Sequence, residues 1–262
     1  MPPTNPLVSA YLESLTLPMP PTVSGDSTAL VIVETRALPH LPHVIASAVR
    51  THPGWHLYVY APLPVHEFLE QGGSLGSGVY TKVTLEPIPM TPAHYSKLLL
   101  SREFWDVIQE EHVLVFQSDC AVVRPTPPDF MRYDYIGAVC GLLLPSRFVM
   151  NGGLSLRRRS AMLRAILMMT EIEAEEPEDV AFMLTMRRNS PAFVMPTMDE
   201  CDDFAIESQG NPLTAVGVHG TDKNYAPPSL LAELFDALAG VSRSSGGKAA
   251  RVAGAVGSNG AS

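Results

Sequence analysis

Four consecutive apolar residues, Val113 to Phe116, run straight into Gln117, Ser118 and Asp119. An unbroken apolar run of this length reads as a strand covered on both faces, which belongs inside an α/β sheet. In open α/β sheets, ligands gather beyond the carboxyl ends of the strands. A carboxylate at Asp119 therefore stands where a ligand group is expected. Taken alone, the same aspartate has a second reading, as the cap of the turn that follows.

The rest of the chain supports the α/β assignment. Residues 29–33 (ALVIV) form another buried strand pattern and end in Glu34, Thr35 and Arg36. A helical pattern at 41–51 and a strand at 55–60 follow, and this alternation favours a parallel layer. The reading continues with a short helix at 65–71, a Gly-rich loop at 72–78, an edge strand at 79–85 and one amphipathic helix over 95–109. Beyond the central strand come strands at 121–124 and 135–139, a loop at 151–153, a short apolar strand at 154–156 and helices at 159–170 and 177–188. Short strands at 192–195 and 204–207, a turn at 217–220 and a closing helix at 229–238 complete the pattern. Pro177 with Glu178 and Asp179 is a helix start, since proline fits the first turn and carboxylates favour its positive end. Residues 1–28, rich in Pro, Ser and Thr, read as a flexible arm, and residues 241–262, rich in Gly, Ser and Ala, as a disordered tail. That leaves 29–240 as one domain with a mixed, mostly parallel sheet flanked by helices.

Composition removes several classes. The formal charge of −9 argues against nucleic acid as a partner. Cys120, Cys140 and Cys201 form neither a metal-ligand spacing nor a disulfide framework, which points to a reducing, cytoplasmic setting. No run approaches the ~18–20 apolar residues of a membrane span, and the start of the chain has no signal-peptide pattern. A place in the Golgi lumen stays open if an upstream anchor has been lost. The first strand is not followed by GxGxxG, the 72–78 loop lacks GxxxxGK[ST], and no G-x-S-x-G elbow occurs, so dinucleotide, P-loop and Ser-hydrolase readings fail.

The polar candidates are Glu34 and Arg36, Lys97, Gln117 to Asp119, Asn151-Gly152-Gly153, Glu178 with Asp179, and His219 with Lys223. Each has a structural reading of its own: a strand end, a solvated helix residue, a plain turn, helix-start carboxylates, a core histidine. Together, VETR (33–36), YSKLLLSREFW (95–105), VLVFQSD (113–119), YDYIGA (133–138), NGGLSLR (151–157), PEDVAF (177–182), FAIES (204–208) and GVH (217–219) follow a known order. The chain resembles an uncharacterised family of glycosyltransferase-like proteins, marked by QTD, DYIGA, NGGFSLR and EDV elements, with the GT-A fold of nucleotide-diphospho-sugar transferases.

The resemblance implies transfer of a sugar from a nucleotide-sugar donor to a carbohydrate or other hydroxyl acceptor. It implies Asp119 and His219 as ligands of a divalent cation, Mn²⁺ or Mg²⁺, in a D-x-D-like element. Gln117 replaces the first acid of that element, which puts the strength of metal binding in question. Glu34, Arg36, Lys97, Gln117, Ser118, Asn151, Gly152, Gly153 and Lys223 fall at donor-binding positions. Lys97, Arg36 and Lys223 are candidates to neutralise the diphosphate. Asp179 is the implied general base of an inverting reaction, and Glu178 its orienting neighbour. The alternative is a catalytically weak relative that binds a nucleotide or a glycan. Donor sugar, base and acceptor are not encoded in any of these elements.

Overall fold

The computed structural model describes residues 3–17, 27–71, 75–76, 78–140 and 149–240. The tail expected from 241, part of the expected arm, and part of the 72–78 loop lie outside the described residues.

A six-stranded sheet forms the centre, in the order β3-β2-β1-β4-β7-β6. Strands β1 (Thr28–Val33), β2 (His56–Ala61), β3 (Thr81–Thr84) and β4 (His112–Phe116) run parallel. Strand β7 (Met150–Arg158) is antiparallel to both β4 and β6 (Tyr135–Val139). From Ala29 to Val33 and from Val113 to Phe116 every residue is buried, which is why these strands lack polar alternation. Helices α2 (Leu41–Thr51) and α3 (Leu63–Glu70) connect β1 to β2 and β2 to β3. The chain then returns past β1 to place β4 on its other side. The strand order therefore reverses at β1/β4, the switch point where a crevice opens at the carboxyl ends.

The antiparallel β7 matters for the same edge. Because it runs against β4, its first residues lie beside the last residues of β4, with Phe116 opposite Leu154. The backbone N–H of Gln117 donates to Gly153 O at 2.9 Å and extends the ladder. A second sheet of three strands, β5 (Ala121–Val122), β9 (Gly217–Val218) and β8 (Ala205–Ile206), continues from the end of β4. Helices α6 (Arg159–Met168), α7 (Glu171–Ala174) and α8 (Glu178–Arg188) follow β7, and α8 packs on it.

Several elements differ from expectation. The single helix over 95–109 is two, α4 (Pro92–Leu99) and α5 (Arg102–Val107). The break is fixed by Ser101, whose Oγ accepts from Phe104 N at 3.3 Å, and by Trp105 Nε1, which donates to Leu99 O at 2.7 Å. Asn151 to Gly153 belong to β7 rather than a loop, and Gly217 and Val218 are β9 rather than a turn. Residues 192–195 form no strand, while α7 and α9 (Met198–Phe204) carry no strong sequence periodicity and were not anticipated. Part of the segment read as a flexible arm is helix α1 (Pro6–Glu13), packed on α2 and on α10 (Pro228–Leu238). Its Val8 and Leu12 are buried in the core, an apolar pair one helical turn apart in an otherwise Pro- and Ser-rich stretch.

No helix among the described residues is long and apolar enough to cross a membrane.

Candidate active site

A cleft of about 390 Å³ opens at the switch point. It is walled by the ends of β1 and β4, the start of β7, the first turns of α4 and α8, and the loop after β9. All the sequence candidates line it except Lys97. Lys97 is exposed and lines a neighbouring groove with Leu100, Ile166 and Thr170. The preceding residues of α4, Tyr95 and Ser96, face the cleft instead, as the helical rotation between adjacent positions requires. Lys97 therefore stands apart from the other donor-side candidates.

Across the switch point, Ser118 Oγ donates to Glu34 Oε2 at 2.6 Å. Arg36 Nε donates to Glu34 Oε1 at 2.8 Å and Arg36 Nη2 to Glu34 Oε2 at 2.9 Å. Burial favours the neutral Glu34 carboxyl, but the bonds from Arg36 and Ser118 prevail and hold it below its ordinary value. Arg36 keeps its outer face in solvent.

The middle of the cleft is built around His219. Its Nε2 stands 3.4 Å from Asp119 Oδ1 and 3.3 Å from Gln117 Oε1. Its Nδ1 lies 3.2 Å from Glu207 Oε1. His219, Asp119 and Glu207 are all buried. Burial alone would favour a neutral imidazole, but the flanking carboxylates Asp119 and Glu207 overcome it and raise the His219 pKa to about 9. Burial likewise opposes ionisation of Asp119, yet His219 and Lys223 hold its carboxyl well below the usual range. Lys223 Nζ reaches Asp119 Oδ2 at 3.3 Å. Asp119 Oδ1 makes no hydrogen bond among the described residues.

Asp119, Cys120 and His219 bring ligand atoms within 4.8 Å of one another. Cys120 is poorly suited to join them. Its Sγ donates to Gly153 O at 3.1 Å, and burial pushes its thiol pKa far up. The thiolate is the form that ligates metals. A cation here would rest on Asp119 and His219.

The α8 wall gives the two adjacent acids different partners. Arg157, fully buried, donates from Nη1 to Glu178 Oε2 at 2.6 Å and from Nη2 to Glu178 Oε1 at 2.9 Å. Glu178 is thereby committed on both oxygens. Asp179 accepts from Val180 N at 2.8 Å and from Gly152 N at 3.2 Å. Burial and the nearby Glu178 charge raise the Asp179 pKa to about 6, against those two amides and Arg157. Asp179 is therefore able to exchange a proton near neutral pH.

Gly152 and Gly153 are small because the space is filled. A Cβ on Gly152 would fall 2.1 Å from Glu178 Oε1, and one on Gly153 2.1 Å from His219 Nε2. Asn151 Oδ1 accepts from Gly153 N at 2.6 Å, and Asn151 Nδ2 donates to Glu207 Oε1 at 3.0 Å.

Sequence reasoning missed Tyr95, Ser96, Arg157, Glu207 and Asp222. Arg157 and Glu207 lie inside the NGGLSLR and FAIES elements, where their buried acid–base partners were the missing information.

Fold and site thus define a mixed α/β protein with an acidic, histidine-centred cleft at the carboxyl ends of its parallel strands. The chain belongs to the family described as protein of unknown function (DUF5672), whose model matches residues 84–219. That span holds the cleft residues from Tyr95 to His219 and leaves Glu34, Arg36 and Lys223 outside it. No curated protein matches the chain.

Proposed function

We propose that the cleft binds a nucleotide-sugar donor and that the protein is an inverting glycosyltransferase of the GT-A type. One observation carries the reading. Asp119 and His219 converge at the end of β4, 3.4 Å apart, while Asp179, poised near pH 6, lines the same cleft.

Charge supports a cation in this site. Among the lining residues Glu34, Asp119, Glu178, Asp179 and Asp222 face Arg36, His219 and Lys223, and each of these cations already pairs with a carboxylate. A diphosphate entering such a cleft needs added positive charge. Asp119 Oδ1 and His219 Nε2, which pair with each other at 3.4 Å, would be an oxygen and a nitrogen donor for Mn²⁺ once the cation displaces the proton on Nε2. A bound divalent cation would act as a Lewis acid, stabilising charge on the departing nucleoside diphosphate. Lys223 and Arg36 add to that stabilisation from the protein.

On the acceptor side, Asp179 takes the proton of the acceptor hydroxyl as its oxygen bonds to the anomeric carbon and the bond from that carbon to the phosphate oxygen breaks. The Gly152 and Val180 amides fix the carboxylate orientation. Arg157 locks Glu178, so the charge that lifts the Asp179 pKa does not move.

Gln117 favours a second reading. It gives an amide where the D-x-D element has its first acid, which weakens the cation site and fits a relative that binds nucleotide or glycan without turnover. Thermal shift with nucleoside diphosphates and nucleotide sugars, with and without Mn²⁺, tests the donor site. A Mn²⁺-dependent rise in melting temperature that vanishes in Asp119→Ala supports it, and no rise with any nucleotide overturns it. Turnover lost in Asp179→Asn with donor binding kept identifies the enzyme. A donor-binding protein with no turnover to lose is the second reading.

A further inference from the structure

Glu207 lies behind the cleft rather than in it, and its carboxylate touches both halves of the site. Strands β8 and β9 pair in parallel, with Ala205 opposite Gly217 and Ile206 opposite Val218. His219 N continues the ladder by donating to Ile206 O at 2.9 Å. The register therefore sets Glu207 beside His219, and their side chains meet through Oε1 and Nδ1 at 3.2 Å. The same Oε1 accepts from Asn151 Nδ2 at 3.0 Å, which directs Asn151 Oδ1 onto the Gly153 amide. Glu207 is 2% exposed, and its Oε2 makes no hydrogen bond among the described residues. Such a carboxylate is costly to bury unless it serves its neighbours.

We infer that Glu207 is a positioning residue: it holds the His219 ring with Nε2 toward Asp119 and Gln117, and returns to the cation site the negative charge that Gln117 lacks. The inference rests on the metal-assisted reading of the cleft. A carboxylate accepting from the far nitrogen of a ligating histidine fixes the tautomer and raises ligand basicity. Here it also ties that histidine to Asn151 on the opposite wall, so the cation side and the β7 side share one anchor. Gln117 Oε1 and Glu207 Oε1 bracket the imidazole from its two nitrogens, one neutral and one charged.

The test titrates Mn²⁺ into the full chain, following free Mn²⁺ by electron paramagnetic resonance, in wild type, Glu207→Gln and Asp119→Ala. Side-chain ¹⁵N shifts of His219 are recorded without metal. Glutamine keeps the shape and an oxygen for Asn151 but removes the charge, so the test does not depend on whether an alanine at 207 folds. The expected result is a 10- to 100-fold loss of Mn²⁺ affinity in Glu207→Gln together with a changed protonation pattern of the His219 nitrogens. Wild-type affinity and unmoved ¹⁵N shifts in Glu207→Gln, with binding lost in Asp119→Ala, overturn the inference and leave the cleft reading standing. No Mn²⁺ binding by wild type, or binding indifferent to Asp119→Ala, overturns both.

Discussion

His219 lies so close against Gly153 that a Cβ on residue 153 would fall 2.1 Å from Nε2. The imidazole does not have room to withdraw easily, because Glu207 holds its other nitrogen and Asp119 stands beside it. Gly153→Ala should therefore displace the ring or the start of β7. The expected cost is about 1–3 kcal/mol of stability, the range for overpacking a filled interior. The Mn²⁺-dependent thermal shift with nucleotide should vanish as well. Thermal denaturation with and without ligand reads both, and an unchanged melting temperature would show that the backbone has slack the geometry denies.

The Arg157–Glu178 pair makes a second case. Arg157 is fully buried and lies over the Tyr135 ring, 4.9 Å from its centroid. Removing one member leaves the other charge stranded, at a cost of about 3–5 kcal/mol. Arg157→Met should sit in that range by urea denaturation. The double variant Arg157→Met/Glu178→Gln should recover much of the loss. Strict additivity of the two single changes would argue that the pair is not coupled.

Asp179 predicts a pH signature. Its folded pKa of about 6 exceeds the ordinary carboxylate value of ~4, so the folded chain binds this proton more tightly than the unfolded chain. The stabilising contribution is complete below about pH 4 and is lost as pH rises through 6. Relative to Asp179→Asn, wild type should lose on the order of 1–3 kcal/mol between pH 4 and pH 7. Parallel denaturation series at the two pH values check this, and equal pH dependence in both proteins would contradict it. If Asp179 is the base, kcat/KM should rise over the same interval and level off above it.

The two lysines proposed for the donor should behave differently. Lys223 pairs with Asp119, whereas Lys97 lines the neighbouring groove. Lys223→Ala should weaken nucleoside diphosphate binding about tenfold, as expected for loss of a charge-assisted contact. Lys97→Ala should leave it unchanged. Calorimetric titration of both variants decides the point, and equal losses would return Lys97 to the donor site.

What the sequence conveyed well was whatever depends on local pattern. The buried run at Val113–Phe116 located β4, and the polar residues after β1 and β4 located the cleft. Pro177 with its two acids marked the start of α8. What stayed hidden depends on partners distant in sequence. Asn151 to Gly153 have turn composition, yet they are strand because β6 pairs with β7 on either side of them, because Gln117 N bonds to Gly153 O, and because Glu178 and His219 occupy the space of two side chains. Glu207 is one acid among many until β8/β9 pairing sets it against His219. Lys97 has the right charge and the wrong helical angle. A one-residue rotation on α4 separates it from Ser96, which accepts from the Glu178 backbone amide at 3.2 Å.

Helix α1 reaches further into function than its position in the chain indicates. Thr4 N donates to Thr221 O at 3.1 Å, and Thr221 in turn donates from N and Oγ1 to Asp119 O at 3.0 and 2.8 Å. Tyr11 donates to Val122 O at 2.8 Å, just past the same aspartate. The first helix thus braces, from behind, the loop that carries Asp119 and the segment that carries Lys223. Shortening the chain to the first strand would leave the large sheet whole and take away a strut beneath the charged end of the cleft. Trimming for crystallisation or expression would then register as weakened ligand binding as well as lower stability, since Val8 and Leu12 leave the core with the helix.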